Sequence, residues 1–256
     1  IRPTLGHVSV FGRDVGRETR SVRSRLGVTL QENVMIENLT PRENLHIFGR
    51  HYLIPEEKLS GRVDEVLDFM ELGSHAEIKV FKLSGGFKRR LAVGMSLVNE
   101  PELLILDEPT TGLDPAVRHA LWSKVRQLKS NGKTILLTTH YMDEAERLCD
   151  QVMIIAAGKS VQQGSPQALI KNQLHPEALE FDCSEEDEQR LFDYFSFPNV
   201  KLRAGNRLMV FAEDASLVLE SVHQIDKGNR RPVVVRPANL EDVFLSVTGA
   251  QLGEDQ

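Results

Sequence analysis

Cysteine is nearly absent: Cys149 and Cys183 are the only two in 256 residues, and their spacing suits neither a metal site nor a disulfide framework. That excludes a disulfide-stapled scaffold and fits a reducing compartment. Long apolar runs are missing as well. No stretch approaches the roughly twenty residues that a membrane span needs, and the first residues carry no secretory-signal pattern, so the expectation is a soluble chain. Positive charge is not in excess. A net charge of −6 and a pI near 5.8 argue against nucleic acid as the main ligand. One motif is also lacking. Nowhere does the chain carry Gly-x-x-x-x-Gly-Lys-Ser/Thr, the loop whose amides and lysine cradle phosphates. The nearest approach is Gly132-Lys133-Thr134, but Gln127 stands where the first glycine would have to be. Asn131-Gly132 reads instead as a helix-ending turn that leads into a strand at 134–138.

What is present is organised around residues 103–115. Leu103-Leu104-Ile105-Leu106 reads as a short strand buried on both faces, the kind found inside a parallel sheet. Asp107 and Glu108 follow at once and so stand at the carboxyl end of that strand, the edge where open α/β sheets bind ligands. Two adjacent acids there suit phosphoryl transfer. One can hold a magnesium ion, directly or through water, while the other orients and deprotonates an attacking water. The same pair is also what an ordinary acidic exit from a strand looks like.

Two further stretches decide between these readings. Leu83-Ser84-Gly85-Gly86-Phe87-Lys88-Arg89-Arg90-Leu91 lies upstream, and Thr138-Thr139-His140 downstream. Three such segments in this order resemble the ATP-binding subunit of an ABC transporter. The strand with Asp107 and Glu108 resembles the Walker B segment, 83–86 the family signature, 112–114 the D-loop and His140 the switch histidine. The resemblance implies about forty residues before Ile1, comprising early strands, an adenine-stacking aromatic and the phosphate loop with its helix. On that expectation the sequence is a fragment, with the turn after the family's first helix at 1–6.

Along the chain, 7–11 alternates like a strand, and 25–30 reads as the next, ended by Gln31. A side-chain amide can ligate an ion through its oxygen and donate through its nitrogen. The resemblance implies that Gln31 touches magnesium and the attacking water; without it, a glutamine after a strand is a surface residue. Thr40, Pro41 and Glu43 make a capping box with proline at the first helical position. They open a helical subdomain over about 40–100, with amphipathic helices at 45–52 and 59–70 that the resemblance implies receive a coupling helix of a transmembrane partner.

Ser84-Gly85-Gly86 opens a helix to about Val98. Serine caps it, and the glycines let backbone amides meet an anion or merely start the helix. The resemblance implies contact with the terminal phosphate of a nucleotide held by an opposing subunit. Phe87 departs from the glutamine common at its position, which removes a polar contact there. Lys88-Arg89-Arg90 reads as a solvated helix face. Asp114-Pro115 caps a helix to about Ser130, and the resemblance adds contact across a dimer. His140, as a neutral imidazole, can bond a phosphate oxygen or a water, although a lone histidine after a strand is usually structural. Strands at 151–156 and 160–163 meet at Gly158, and Pro166 starts a helix.

His175-Pro176 reads as a linker. Beyond it, strands at 178–181, 200–203, 207–211 and 233–236 and helices at 185–195 and 215–225 follow the β-α-β-β-α-β order of ferredoxin-like domains. The tail at 236–245 resembles ATPases of ABC-2-type exporters. With 132–150 it looks most like those of nodulation-factor and drug-resistance export.

The expected fold is therefore α/β, with a P-loop-NTPase-like ATPase core at 1–174 that lacks its first strands and phosphate loop. A ferredoxin-like accessory α+β domain at 175–256, regulatory or dimer-supporting, follows it. The resemblance implies an ATPase that powers export from the cytoplasmic face of the inner membrane. It would use ATP and Mg2+, work with a transmembrane permease and a second copy of itself, and meet the membrane only through the permease. Within that reading Asp107 and Gln31 hold the metal, Glu108 is the base and His140 assists. Ser84, Gly85, Gly86 and Asp114 contact nucleotide across the dimer. A non-transport ABC-type ATPase, or a non-catalytic interaction fragment, are the alternatives, and the fragment alone is expected to be inactive.

Overall fold

The computed structural model describes residues 3–32, 34–194, 201–225 and 232–249. Ile1 and Arg2 of the expected opening turn lie outside them. The chain divides into two compact units, Ile1–His140 and Tyr141–Gln256.

In the first unit, β1 (Ser9–Val10) and β2 (Arg13–Asp14) form a short hairpin. Alternation over 7–11 predicts a longer strand, but Phe11 and Gly12 both take positive φ, and this turn folds the chain back after two residues. The helix α1 (Thr19–Arg23) leads into β3 (Leu26–Thr29). Three helices follow: α2 (Pro41–His51), α3 (Glu56–Phe69) and α4 (Gly85–Leu97). The expected capping box is in place on α2. Thr40 N donates to Glu43 Oε2 at 2.7 Å, and Glu43 N to Thr40 Oγ1 at 3.2 Å. These helices pack on one another, with Gly94 of α4 set against Val66, Met70 and Leu45. The aliphatic run forms β4 (Leu103–Asp107), and α5 (Pro115–Ser130) carries the chain to β5 (Thr134–Thr138).

β3, β4 and β5 make a parallel sheet in that order. Gly27 and Leu104 face α4. Leu104 and Leu106 are fully buried, whereas Leu103 and Ile105 on the opposite side are half-buried and Leu136 of β5 is exposed. Burial on both faces, expected for β4, is thus complete only on the α4 side.

The second unit begins with α6 (Met142–Leu148), followed by β6 (Val152–Ala156) and β7 (Lys159–Gly164), an antiparallel pair turning at Ala157-Gly158. Ser165 caps α7 (Pro166–Gln173). Then come β8 (Glu177–Asp182), α8 (Glu185–Tyr194), β9 (Lys201–Ala204), β10 (Arg207–Ala212), α9 (Ala215–Ile225) and β11 (Val234–Pro237). The predicted ends at Phe195 and Val200 lie outside the described residues. Sheet order β11-β8-β10-β9, antiparallel throughout, is the ferredoxin-like arrangement that the element order predicts.

Alternation along its strands sends Leu179, Phe181, Leu208 and Val210 to one face, against Leu191, Val218 and Val222. Ala178, Met209 and Phe211 go to the other, against Leu169, Leu174 and the closing helix α10 (Leu240–Thr248). His175-Pro176, expected as a linker, lies within this unit and is held at both residues. His175 Nδ1 is 3.0 Å from Glu213 Oε1, and Pro176 O accepts from Ala238 N at 2.9 Å. The buried Asp242 grips the Arg236 guanidinium through two 2.7 Å bonds. That contact raises the arginine pKa above its ordinary value, with Glu180 adding to it.

Gly27 has no room for a side chain, because a Cβ there would overlap the Ser96 carbonyl of α4. Gly27→Ala must push helix and sheet apart and is expected to lower stability by about 1–3 kcal/mol. The denaturant midpoint of the first unit's unfolding measures it, and a parental midpoint would show that the helix yields freely.

Candidate functional site

Parallel pairing brings three strand ends to one edge. Asp107 pairs with Thr138, and the Thr138 hydroxyl donates to Asp107 Oδ1. One residue on, Glu108 leaves the sheet with φ +44, a left-handed conformation uncommon outside glycine. Its amide is held by Thr138, 3.0 Å from the carbonyl and 3.2 Å from the hydroxyl. Three groups then converge on a single carboxylate oxygen, Glu108 Oε2. Gln31 Nε2 donates at 3.1 Å, Thr111 Oγ1 at 3.1 Å, and His140 Nδ1 lies 3.3 Å away. No bond among the described residues engages Oε1. Gln31, Glu108 and His140, far apart in sequence, therefore meet, and Asp107 adjoins them through Thr138.

Ser84, Gly85, Gly86 and Asp114 form a second cluster. Ser84 caps α4, its hydroxyl 3.5 Å from Phe87 N, and Asp114 caps α5, accepting from Val117 N at 3.1 Å. Gly86 seats these two helix starts together, since a Cβ on it would stand 2.8 Å from Val117. Gly85 differs: nothing lies within 4 Å of the place a Cβ would take. Packing within this chain does not require glycine there. Among the described residues no hydrogen bond links this cluster to Glu108. The Phe87 ring stacks on His75 with centroids 3.9 Å apart, which accounts for the side chain that replaces the commoner glutamine.

The basic run 88–90 is not a solvated face. Lys88 pairs with Glu37 at 2.8 Å and Arg90 with Glu71 at 3.0 Å. Glu71 also bonds Lys124, and Lys124 first, then Arg90, holds its carboxyl below the usual range. Arg89 is buried, at 5% exposure. Its guanidinium donates to five backbone carbonyls: Pro109 from Nε at 2.7 Å, Leu30 and Gln31 from Nη1 at 2.7 and 3.1 Å, and Asp107 and Glu108 from Nη2 at 2.8 and 2.9 Å. Helical spacing carried the signal, because Arg89 stands three, four and seven residues before buried Ala92, Val93 and Ser96. Thr111, and Thr138 within its stretch, carry no individual mark in the sequence; each lies one short turn or one strand pair from a carboxylate.

Among the described residues no group of three or more acidic, histidine or cysteine side chains could hold a metal alone. One carboxylate, Asp107, and the Gln31 amide oxygen fit a different kind of site. Magnesium keeps several waters and takes one or two carboxylates together with substrate phosphates.

The ABC transporter family model matches residues 1–111, and the model of the C-terminal domain of nodulation factor export protein NodI matches 202–249. The Nod factor export ATP-binding protein I of Rhizobium johnstonii is 38% identical over 250 residues, covering 98% of this chain and 79% of that protein. That of Burkholderia lata is 40% identical over 252 residues, covering 98% and 81%. Among solved structures, an ATP-binding subunit of an ABC transporter matches with a TM-score of 0.59 at 28% identity, over 67% of this chain and 72% of that one. A dimeric ATP-binding cassette in a post-hydrolysis state bound to ADP and Pi shares the fold, with a TM-score of 0.58 at 24% identity over 64% and 75%. With relatives this similar along nearly its whole length, the chain belongs to the ATP-binding subunits of ABC transporters, the ATPases that power export, in the group of the Nod factor export ATP-binding proteins.

Proposed function

We propose that this subunit hydrolyses Mg-ATP in a head-to-tail dimer, at the cytoplasmic face of the inner membrane, and drives an ABC-2-type permease. No helix among the described residues is long and apolar enough to cross a membrane. On this reading the permease supplies the contact with the membrane. The catalytic domain is taken as 1–174 and the accessory domain as 175–256. The observation that carries the reading is the convergence of Gln31, Thr111 and His140 on one oxygen of Glu108, beside Asp107 at the sheet edge.

Magnesium, when bound, neutralises charge on the phosphate oxygens. Asp107 and the Gln31 amide oxygen are the groups to hold it. Glu108 acts as general base: Gln31 and Thr111 anchor Oε2, while Oε1 accepts the proton of the attacking water. With Nδ1–H turned toward Glu108, His140 presents Nε2 as an acceptor to the same water. Thr138 fixes both acids at once, through the Asp107 carboxylate and the Glu108 amide. Ser84, Gly85, Gly86 and Asp114 act on the nucleotide of the opposing subunit. The open space at Gly85 supports this, because a glycine that its own chain does not need is one that something else must approach closely.

Neutralising the two acids should give different failures. Glu108→Gln is expected to lower the hydrolysis rate about 10²–10⁴-fold while nucleotide binding and ATP-induced dimerisation persist. Asp107→Asn should weaken magnesium dependence and nucleotide binding together with turnover. Hydrolysis and dimerisation measured on the full-length subunit decide the matter. A Glu108→Gln protein near the parental rate would place the base elsewhere, and one that no longer binds nucleotide would assign Glu108 to the metal.

Gly85→Asp should leave the unfolding midpoint at the parental value yet abolish turnover, because the new side chain meets only the opposing nucleotide. Mixing it with an Asp107→Asn subunit should restore one sound site per dimer. Turnover of the mixture no higher than that of either variant would remove the support for action across the dimer.

A further inference from the structure

We propose that Arg89 is a positioning residue for hydrolysis. It sets Glu108 and Gln31 relative to each other and ties both to the helix whose amino end carries Ser84, Gly85 and Gly86. The proposal rests on Glu108 as the base and deepens that reading.

The five carbonyl oxygens that the buried Arg89 guanidinium meets belong to two segments, Leu30-Gln31 and Asp107-Glu108-Pro109. The two segments continue neighbouring strands past the point where their ladder stops, at the pair Thr29 and Leu106. Beyond that pair the strand exits have no ladder between them, and the guanidinium takes its place. Nη1 holds the β3 exit, and Nη2 and Nε hold the β4 exit.

Glu108 needs such support. Its positive φ is strained for a residue with a side chain, and strain of this kind persists where the surroundings over-determine the backbone. Arg89 bonds the carbonyl of Glu108 and of the residue on either side of it. Gln31, whose own carbonyl is held by the same guanidinium, then reaches Glu108 Oε2 with its side chain. One side chain thus fixes both partners of a catalytic hydrogen bond. Only arginine has the planar fork to do so, since lysine offers three donors from one point. Arg89 stands five residues into the signature helix from Ser84, about 7.5 Å along the axis at 1.5 Å per residue. The helix that starts at Ser84 and the two strand exits are therefore joined through a single guanidinium.

The test compares Arg89→Lys, Arg89→Gln, Glu108→Gln and the Arg89→Lys/Glu108→Gln double variant in the full-length subunit. ATP affinity, the dimerisation response and single-turnover hydrolysis are measured for each. Arg89→Lys is expected to bind ATP within about threefold of the parent and to lose about 10²-fold in hydrolysis, the scale set by small misplacement of a catalytic group. Because it acts through Glu108, the same substitution should cost the Glu108→Gln background no more than about threefold. A loss that multiplies in full on that background overturns the proposal, as does parental hydrolysis by Arg89→Lys. Failure of both Arg89 variants to fold overturns it too, by making Arg89 a folding determinant. Parental hydrolysis by Glu108→Gln instead sinks the reading of Glu108 as base.

Discussion

At Leu106 three strands run side by side in one direction, bonded through Thr29 on one flank and Leu137 on the other. Within two residues all three have ended. Gln31 comes two positions after β3, Glu108 one after β4 and His140 two after β5. The site follows from that common edge. In an antiparallel sheet neighbouring strands would end at opposite edges, and these three side chains could not meet. Everything else at the edge refines the placement: Thr138 pins the two acids through the β4–β5 pair, and Arg89 fastens the β3 and β4 exits.

Much of this is legible in the residues because local chemistry and fold agree. An aliphatic run followed by two acids can end a buried strand in only one way that keeps the acids near water, and the capping box at Thr40 leaves little choice of helix start. The β-α-β-β-α-β order likewise survives as a four-stranded antiparallel sheet with strand ends shifted by a residue or so. The failures share a cause. Arg89, Thr111 and the hairpin at Phe11-Gly12 depend on contacts or backbone angles that their residue types disfavour. Arginine suggests solvent, threonine suggests nothing in particular, and phenylalanine argues against positive φ. For Arg89 the one signal against a solvated face is its helical spacing from Ala92, Val93 and Ser96.

The second unit shows a different economy. Its sheet is covered on both faces, by α8 and α9 on one side and by α7 and α10 on the other. Ferredoxin-like sheets often leave one face open; here Ala178, Met209 and Phe211 close it by packing under Leu240 and Val243. His175-Pro176 is drawn into this arrangement, which is why a dipeptide that looks like a hinge is bonded at both residues. Arg236 and Asp242 tie β11 to α10 through two hydrogen bonds.

With Glu108 as the proposed base, its backbone conformation sets stability against activity. A backbone at φ +44 suits glycine or asparagine better than glutamate, and either would relieve strain that the present residue carries. Selection for a firmer fold would accordingly push this position away from a carboxylate, and on the proposed role selection for turnover opposes it. On the proposed role of Glu108, a subunit released from that selection would be expected to lose this carboxylate early and keep its fold. Copies of this cassette that persist as binding partners rather than motors would then differ from it first at a single, thermodynamically uncomfortable residue.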